Sequence, residues 1–184
     1  VLFSCTVRKG SSGASSAART SRVSRAVMNI TDDAMVPGLS RIATAAHDYG
    51  AKISIEMVHG GRGADPRLLK TPYALAPSVF PLSDRNRYVK EMDQKEIDHI
   101  IWKYADCADR LARAGFDMCM VHAAHGNLLA QFMSPNTNTR TDWYGGSFEN
   151  RMRFPLQVLK AIRDKVGDRI AVEMRISGDE IIPE

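Results

Sequence analysis

No stretch of this sequence approaches the ~20 consecutive apolar residues that a membrane-spanning helix requires. No Cys-x-x-Cys pair occurs, so zinc ribbons and iron–sulfur clusters find no ligand set here. The three cysteines, Cys5, Cys107 and Cys119, show no paired spacing. Cys107 and Cys119 fall inside apolar patterns, as reduced core thiols of a cytoplasmic protein do. Acidic residues are missing from residues 1–30, which hold Arg8, Lys9, Arg19, Arg22 and Arg25. Without that segment the formal charge of +4 becomes −1, with 20 basic against 21 acidic residues. A nucleic-acid-binding face needs basic charge clustered on a folded surface. Residues 31–184 carry no such cluster.

What is present divides into an irregular start and a periodic remainder. Residues 4–26 are rich in Ser, Ala, Arg and Gly and keep no sustained helical or strand period. Such a segment buries too little apolar surface to offset chain entropy and is expected to be mostly disordered. Its acid-free composition also fits a transit peptide. The missing Met at position 1 fits a truncated or frame-shifted, non-native start. Residues 1–30 are therefore expected to be disordered or non-native, and residues 31–184 to be the ordered part.

Beyond residue 30 the pattern alternates between helix and strand. Pro37 suits a first helical turn, and Leu39, Ile42, Ala43 and Ala46 fall on one face before Gly50. Lys52–Met57 reads as a strand, followed by His59, Gly60, Gly61 and Arg62 and a long polar loop to about Met92. Asp93 and Glu96 form a capping box. Behind it Ile97, Ile100, Ile101, Tyr104, Ala105, Ala108, Leu111 and Ala112 repeat at helical spacing up to Gly115. Phe116–Val121 reads as a buried strand, apolar except for Asp117. Ser147 is placed to cap the next helix, with Leu156, Leu159 and Ile162 facing inward and Pro155 predicting a kink or a late start. Ile170–Ile176 is the last strand.

Alternation of this kind predicts an α/β fold with parallel strands joined by right-handed crossovers. Three strands cannot close a (βα)₈ barrel of ~250 residues. A partial TIM (βα)₈ barrel of about three consecutive βα units, the central fragment of a larger barrel, is the expected architecture. Ligands bind at the C-terminal ends of parallel strands, where the sequence offers His122 and, three residues on, His125. Two imidazoles can donate to a ligand's carbonyl oxygen, can be satisfied structural residues, or with His59 can bind a metal. No carboxylate or thiolate completes the metal set at motif spacing, so no metal is expected.

The words HAAHGNLL (His122–Leu129), QFMSPNTNTRTDWYGGS (Gln131–Ser147) and ENRMRF (Glu149–Phe154) resemble the old yellow enzyme family. That family comprises flavin-dependent ene-reductases and the barrel part of enoate and 2,4-dienoyl-CoA reductases. The resemblance implies an FMN-dependent NADH:flavin oxidoreductase that reduces the C=C bond of a small α,β-unsaturated carbonyl or enoyl substrate. NAD(P)H would be the electron source, and an iron–sulfur cluster would be possible only in further C-terminal sequence. The alternative is a non-catalytic barrel fragment that does not bind flavin by itself. By resemblance, His122 and His125 are the catalytic pair that donates to the substrate oxygen. Glu56 and Arg175 are the flavin contacts. Asn127 faces substrate.

Two of these positions depart from the family's pattern. Glu56 stands where a Gln is usual, and an ionised carboxylate only accepts hydrogen bonds. Asn127 stands where a proton-donating Tyr is common, and an amide is no general acid near neutral pH. Arg140, Thr141, Asp142, Tyr144, Gly145, Gly146, Glu149, Asn150, Arg151 and Arg153 suit a tightly folded structural loop.

Overall fold

The computed structural model describes residues 4–9, 30–64, 69, 71–79 and 89–180. Strand β1 is Ser4–Lys9, helix α1 is Val36–His47, and strand β2 is Ile53–Val58. Two short strands follow, β3 (Ala74–Ala76) and β4 (Val89–Glu91), then helix α2 (Gln94–Arg113) and strand β5 (Met118–Ala123). The remaining elements are α3 (Leu128–Met133), α4 (Phe148–Val166) and strand β6 (Ala171–Ile176). β2, β5 and β6 pair in parallel, in that order, as consecutive β/α units of a partial (βα)₈ barrel.

Helix α2 forms where its pattern said. Asp93 accepts from the Glu96 amide at 2.9 Å while Glu96 accepts from the Asp93 amide at 3.0 Å, so two orphan donors are satisfied reciprocally. Its face of Ile97, Ile100, Tyr104, Ala108 and Leu111 is buried and packs chiefly against α4. Both helices cover one face of the sheet, where Ile53, Ile55, Met57, Cys119, Val121 and Ala123 complete the core. Cys107 and Cys119 are both buried free thiols, and burial pushes each up to about 12. Among the described residues, no helix is long and apolar enough to cross a membrane.

Several boundaries differ from the sequence expectation. Ser4–Lys9, expected to be irregular, pairs antiparallel along β2, with Thr6 opposite Glu56. Backbone pairing at a sheet edge asks little of side chains, so a six-residue strand leaves no periodic trace. The rest of the N-terminal expectation, residues 1–3 and 10–29, lies outside the described residues. Inside the long loop, β3 and β4 pair in parallel, with Ala74 opposite Val89. Helix α4 starts at Phe148 under its Ser147 cap and carries Pro155 inside it, so no late start occurs. Of the residues expected to face inward, Ile162 is buried and Leu159 packs half-buried against the core, while Leu156 is exposed; Phe154, Pro155, Val158 and Val166 complete the buried stripe.

The loop between α3 and α4 is a clasp. The Arg140 guanidinium donates to Pro77 O at 2.9 Å, Met92 O at 2.8 Å and Asp142 at 2.5 Å, and pairs with Glu91. Asn138 donates to Phe132 O and Tyr144 O. These residues tie β3 and β4 to the frame, as expected of a structural loop.

Candidate active site

The parallel strands present alternate residues to two faces. Opposite the helices, the register sets Glu56 beside Met120 and Met120 beside Glu173. One step toward the C-terminal ends, His122 lies beside Arg175. His122 closes the inner row of β5; it lies within the strand, because β5 runs two residues later than expected.

All five predicted site residues come together here. Arg175 Nη1 stands 2.7 Å from Glu56 Oε1 across β5, yet that oxygen completes no aligned hydrogen bond among the described residues. His122 Nε2 lies 3.8 Å from the same oxygen. The Asn127 side-chain nitrogen is 3.2 Å from His122 Nε2 and donates to Ala124 O at 3.1 Å. The His125 ring meets the His122 ring edge-on, with centroids 5.1 Å apart.

Backbone conformation delivers this arrangement. His125 has φ of 56°, the left-handed region that a side chain other than glycine's occupies at a cost of about 1 kcal/mol. Such strain persists where the surroundings over-determine it, and it collects at functional sites. The turn swings the exposed His125 ring back over the buried His122 ring. Gly126 follows with φ of 70° and leads into α3.

Other residues frame the site. Burial lowers the His59 imidazole to about 3. Its Nδ1 accepts from the Gly61 amide at 3.0 Å, and its carbonyl accepts from the Leu128 amide at 2.8 Å. His59 therefore anchors the start of α3. Gln131 donates to Gly60 O at 3.2 Å and Gly126 O at 2.7 Å and accepts from the Arg62 amide, lacing the two strand-end turns together. Sequence reasoning gave Gln131 no role; a glutamine inside the apolar run LLAQFM was the available signal. Glu173 was also missed, although it precedes Arg175 by two residues and so shares its face.

The inner face is short of hydrogen-bond donors. Ser54 Oγ, Glu56 Oε1 and Glu173 Oε1 are buried without hydrogen-bond partners among the described residues. Native structures rarely leave such oxygens unmatched. A ligand edge that bears an N–H donor fits Glu56, and one that bears anionic charge fits Arg175. Ring nitrogens, an anchored carboxylate and a guanidinium on three adjacent strands can grip a flat polar heterocycle and polarise an oxygen beside it.

A family model described as NADH:flavin oxidoreductase / NADH oxidase matches residues 11–184. An NADH oxidase of Thermoanaerobacter brockii is 42% identical over 155 residues, covering 84% of this chain and 24% of that protein. An N,N-dimethylglycine/sarcosine dehydrogenase of Chromohalobacter salexigens is 40% identical over 157 residues, covering 85% of this chain and 23% of that protein. Among solved structures, an Old Yellow Enzyme from Pichia sp. AKU4542 superposes with a TM-score of 0.70 at 37% identity, over 79% of this chain and 41% of its own. The chain thus spans about a quarter of the curated relatives it matches.

Proposed function

Because the chain belongs to the NADH:flavin oxidoreductase / NADH oxidase family, we propose that it carries the substrate-facing part of an FMN-dependent ene-reductase. Its substrate is a small α,β-unsaturated carbonyl or enoyl compound, and NAD(P)H is the electron source. The observation that carries this reading is the convergence of the His122 and His125 rings, 5.1 Å apart, beside the Glu56–Arg175 pair.

FMN, when bound, supplies the hydride. His122 and His125 hydrogen-bond the substrate oxygen as it gains negative charge, the point at which fixed donors lower a barrier most. Glu56 would accept from an N–H of the flavin, and Arg175 would set a cation beside it. Asn127 is no proton source, so the proton for the far carbon comes from solvent or another group. The core thiols at Cys107 and Cys119 support a cytoplasmic setting.

A second reading is a barrel segment that binds no flavin by itself. It is favoured by the phosphate sites of such barrels, which form around the seventh and eighth strands. Titration of the 184-residue chain with FMN, followed by flavin fluorescence, separates the two readings. Micromolar or tighter binding supports the first; binding no tighter than millimolar supports the second. With FMN in excess, oxidation of the reduced flavin by cyclohexenone is expected to slow at least ~100-fold in the double variant His122→Ala, His125→Ala. Equal rates in the variant and the parent chain overturn the assignment of the two rings.

A further inference from the structure

We propose that Asn127 is a positioning residue for His122, holding the ring by its side-chain amide instead of capping α3. Asn127 occupies the N-cap position of α3, with φ −74° and ψ 170°. An asparagine there ordinarily accepts from a first-turn amide. This one makes no side-chain cap hydrogen bond. Its buried side chain turns back toward β5.

The donor pattern fixes how the amide lies. A carbonyl oxygen only accepts, so Asn127 must present its nitrogen to Ala124 O, 3.1 Å away. The second hydrogen of that nitrogen is then directed at His122 Nε2, 3.2 Å away. On the other side of the ring, the Ala124 amide donates to His122 Nδ1 at 3.2 Å. Donors therefore face both ring nitrogens. An uncharged ring has one bare nitrogen and can accept from one of them, while an imidazolium can accept from neither, so the arrangement favours the uncharged ring.

Other groups facing the ring act around this pair. Glu56, on β2, lies 3.8 Å from Nε2 and favours the charged ring. Arg175, on β6, offsets that carboxylate by pairing with it. The His125 ring stands edge-on. Asn127 thus sets the ring's orientation and its resting charge; a substrate oxygen reaches Nε2 once the amide is displaced and the ring proton sits on Nε2, the tautomer in which Nδ1 accepts from the Ala124 amide. This deepens the ene-reductase reading and rests on it for the ring's role. The ring itself can be observed without flavin or turnover, so the two ideas fail separately.

The test is nitrogen-15 NMR of the histidine rings in the full 184-residue chain, with His122 assigned by His122→Gln. Asn127→Asp keeps the shape and the capping chemistry but replaces the donor by a carboxylate. Its His122 midpoint is expected to rise by about one pH unit or more, with displaced ring nitrogen shifts. Should that variant not fold, Asn127→Ser caps α3 with a hydroxyl too short to reach the ring, and the His122 shifts are again expected to move. A capping role alone would change melting temperature and leave the ring signals in place. Unchanged His122 shifts in whichever variant folds overturn the proposal.

Discussion

At the start of β5, Asp117 spends both carboxylate oxygens: it accepts from Lys52 at 2.7 Å, from the Ile53 amide at 3.0 Å, and contacts His47 Nε2 at 2.7 Å. Its own carbonyl accepts from the Ala171 amide, so one residue ties β2, β5 and β6 at their N-terminal ends. Toward the C-terminal ends of the same strands the economy is reversed. From mid-strand on, Glu56 and Glu173 hold buried oxygens without hydrogen-bond partners among the described residues, and just past β5 His125 is backbone-strained. One end of the sheet has its polar groups satisfied and the other keeps unmatched ones, on the side where β/α barrels place their sites.

The comparison breaks first at Asp117. Asp117→Ala strands the Ile53 amide and removes charged partners, and should cost about 3 kcal/mol. Thermal unfolding followed by circular dichroism should show a melting temperature roughly 6–12 °C lower. A loss below about 1 kcal/mol would mean that this end is not the stabilising one.

Acid titration sharpens the contrast. Burial raises the Asp117 pKa, but the bonds from Lys52 and His47 outweigh it and leave the carboxyl well below its ordinary value. Its stabilisation is present above the ordinary carboxylate pKa, about 4, and is lost as pH falls below it. His59 acts earlier. Burial depresses its pKa from 6.5 to about 3, so between those values the unfolded chain binds the extra proton and stability falls as pH falls. The slope is about 1.4 kcal/mol per pH unit, or about 2 kcal/mol lost by pH 5. Urea unfolding at pH 7, 6 and 5 should show this slope and lose it in His59→Gln. A slope that survives the substitution assigns the weak-acid sensitivity elsewhere.

The smallest effect has the opposite sign. Glu173→Leu removes a buried oxygen that has no hydrogen-bond partner among the described residues and should stabilise the chain by about 1 kcal/mol. Urea midpoints measure it, and a destabilised variant would show that Glu173 is already satisfied.

Local signals were the legible ones. Asp93 and Glu96 announced α2 because a capping box is complete within four residues, and Ser147 announced α4 in the same way. His122, His125, Glu56, Asn127 and Arg175 were read from their words and strand ends, and the fold does bring them together. Less visible was what they do to one another. Glu56 and Arg175 meet only because β5 lies between their strands, although 118 residues of chain lie between the partners. Asn127 reads as a substrate contact or an N-cap until Ala124 O orients its amide. β1 was illegible because the edge of β2, not its own pattern, orders it. Leu156 was misplaced because a helical stripe has several near-equivalent phases, and packing of Phe154 and Pro155 chose among them.

The Arg140 clasp bears on how the molecule opens. One guanidinium, with only 7% of its side chain exposed, reaches the strand pair β3–β4 through Pro77 O, Met92 O and Glu91, and its own loop through Asp142. Regions joined through a single shared group cannot come apart one at a time without stranding its donors. The Met92 amide, bonded to Ala76 O at 2.9 Å, and the Tyr144 amide, bonded to Asp142 at 3.0 Å, therefore belong to one cooperative unit. Their hydrogen exchange would be governed by the same opening free energy, although more than fifty residues lie between them.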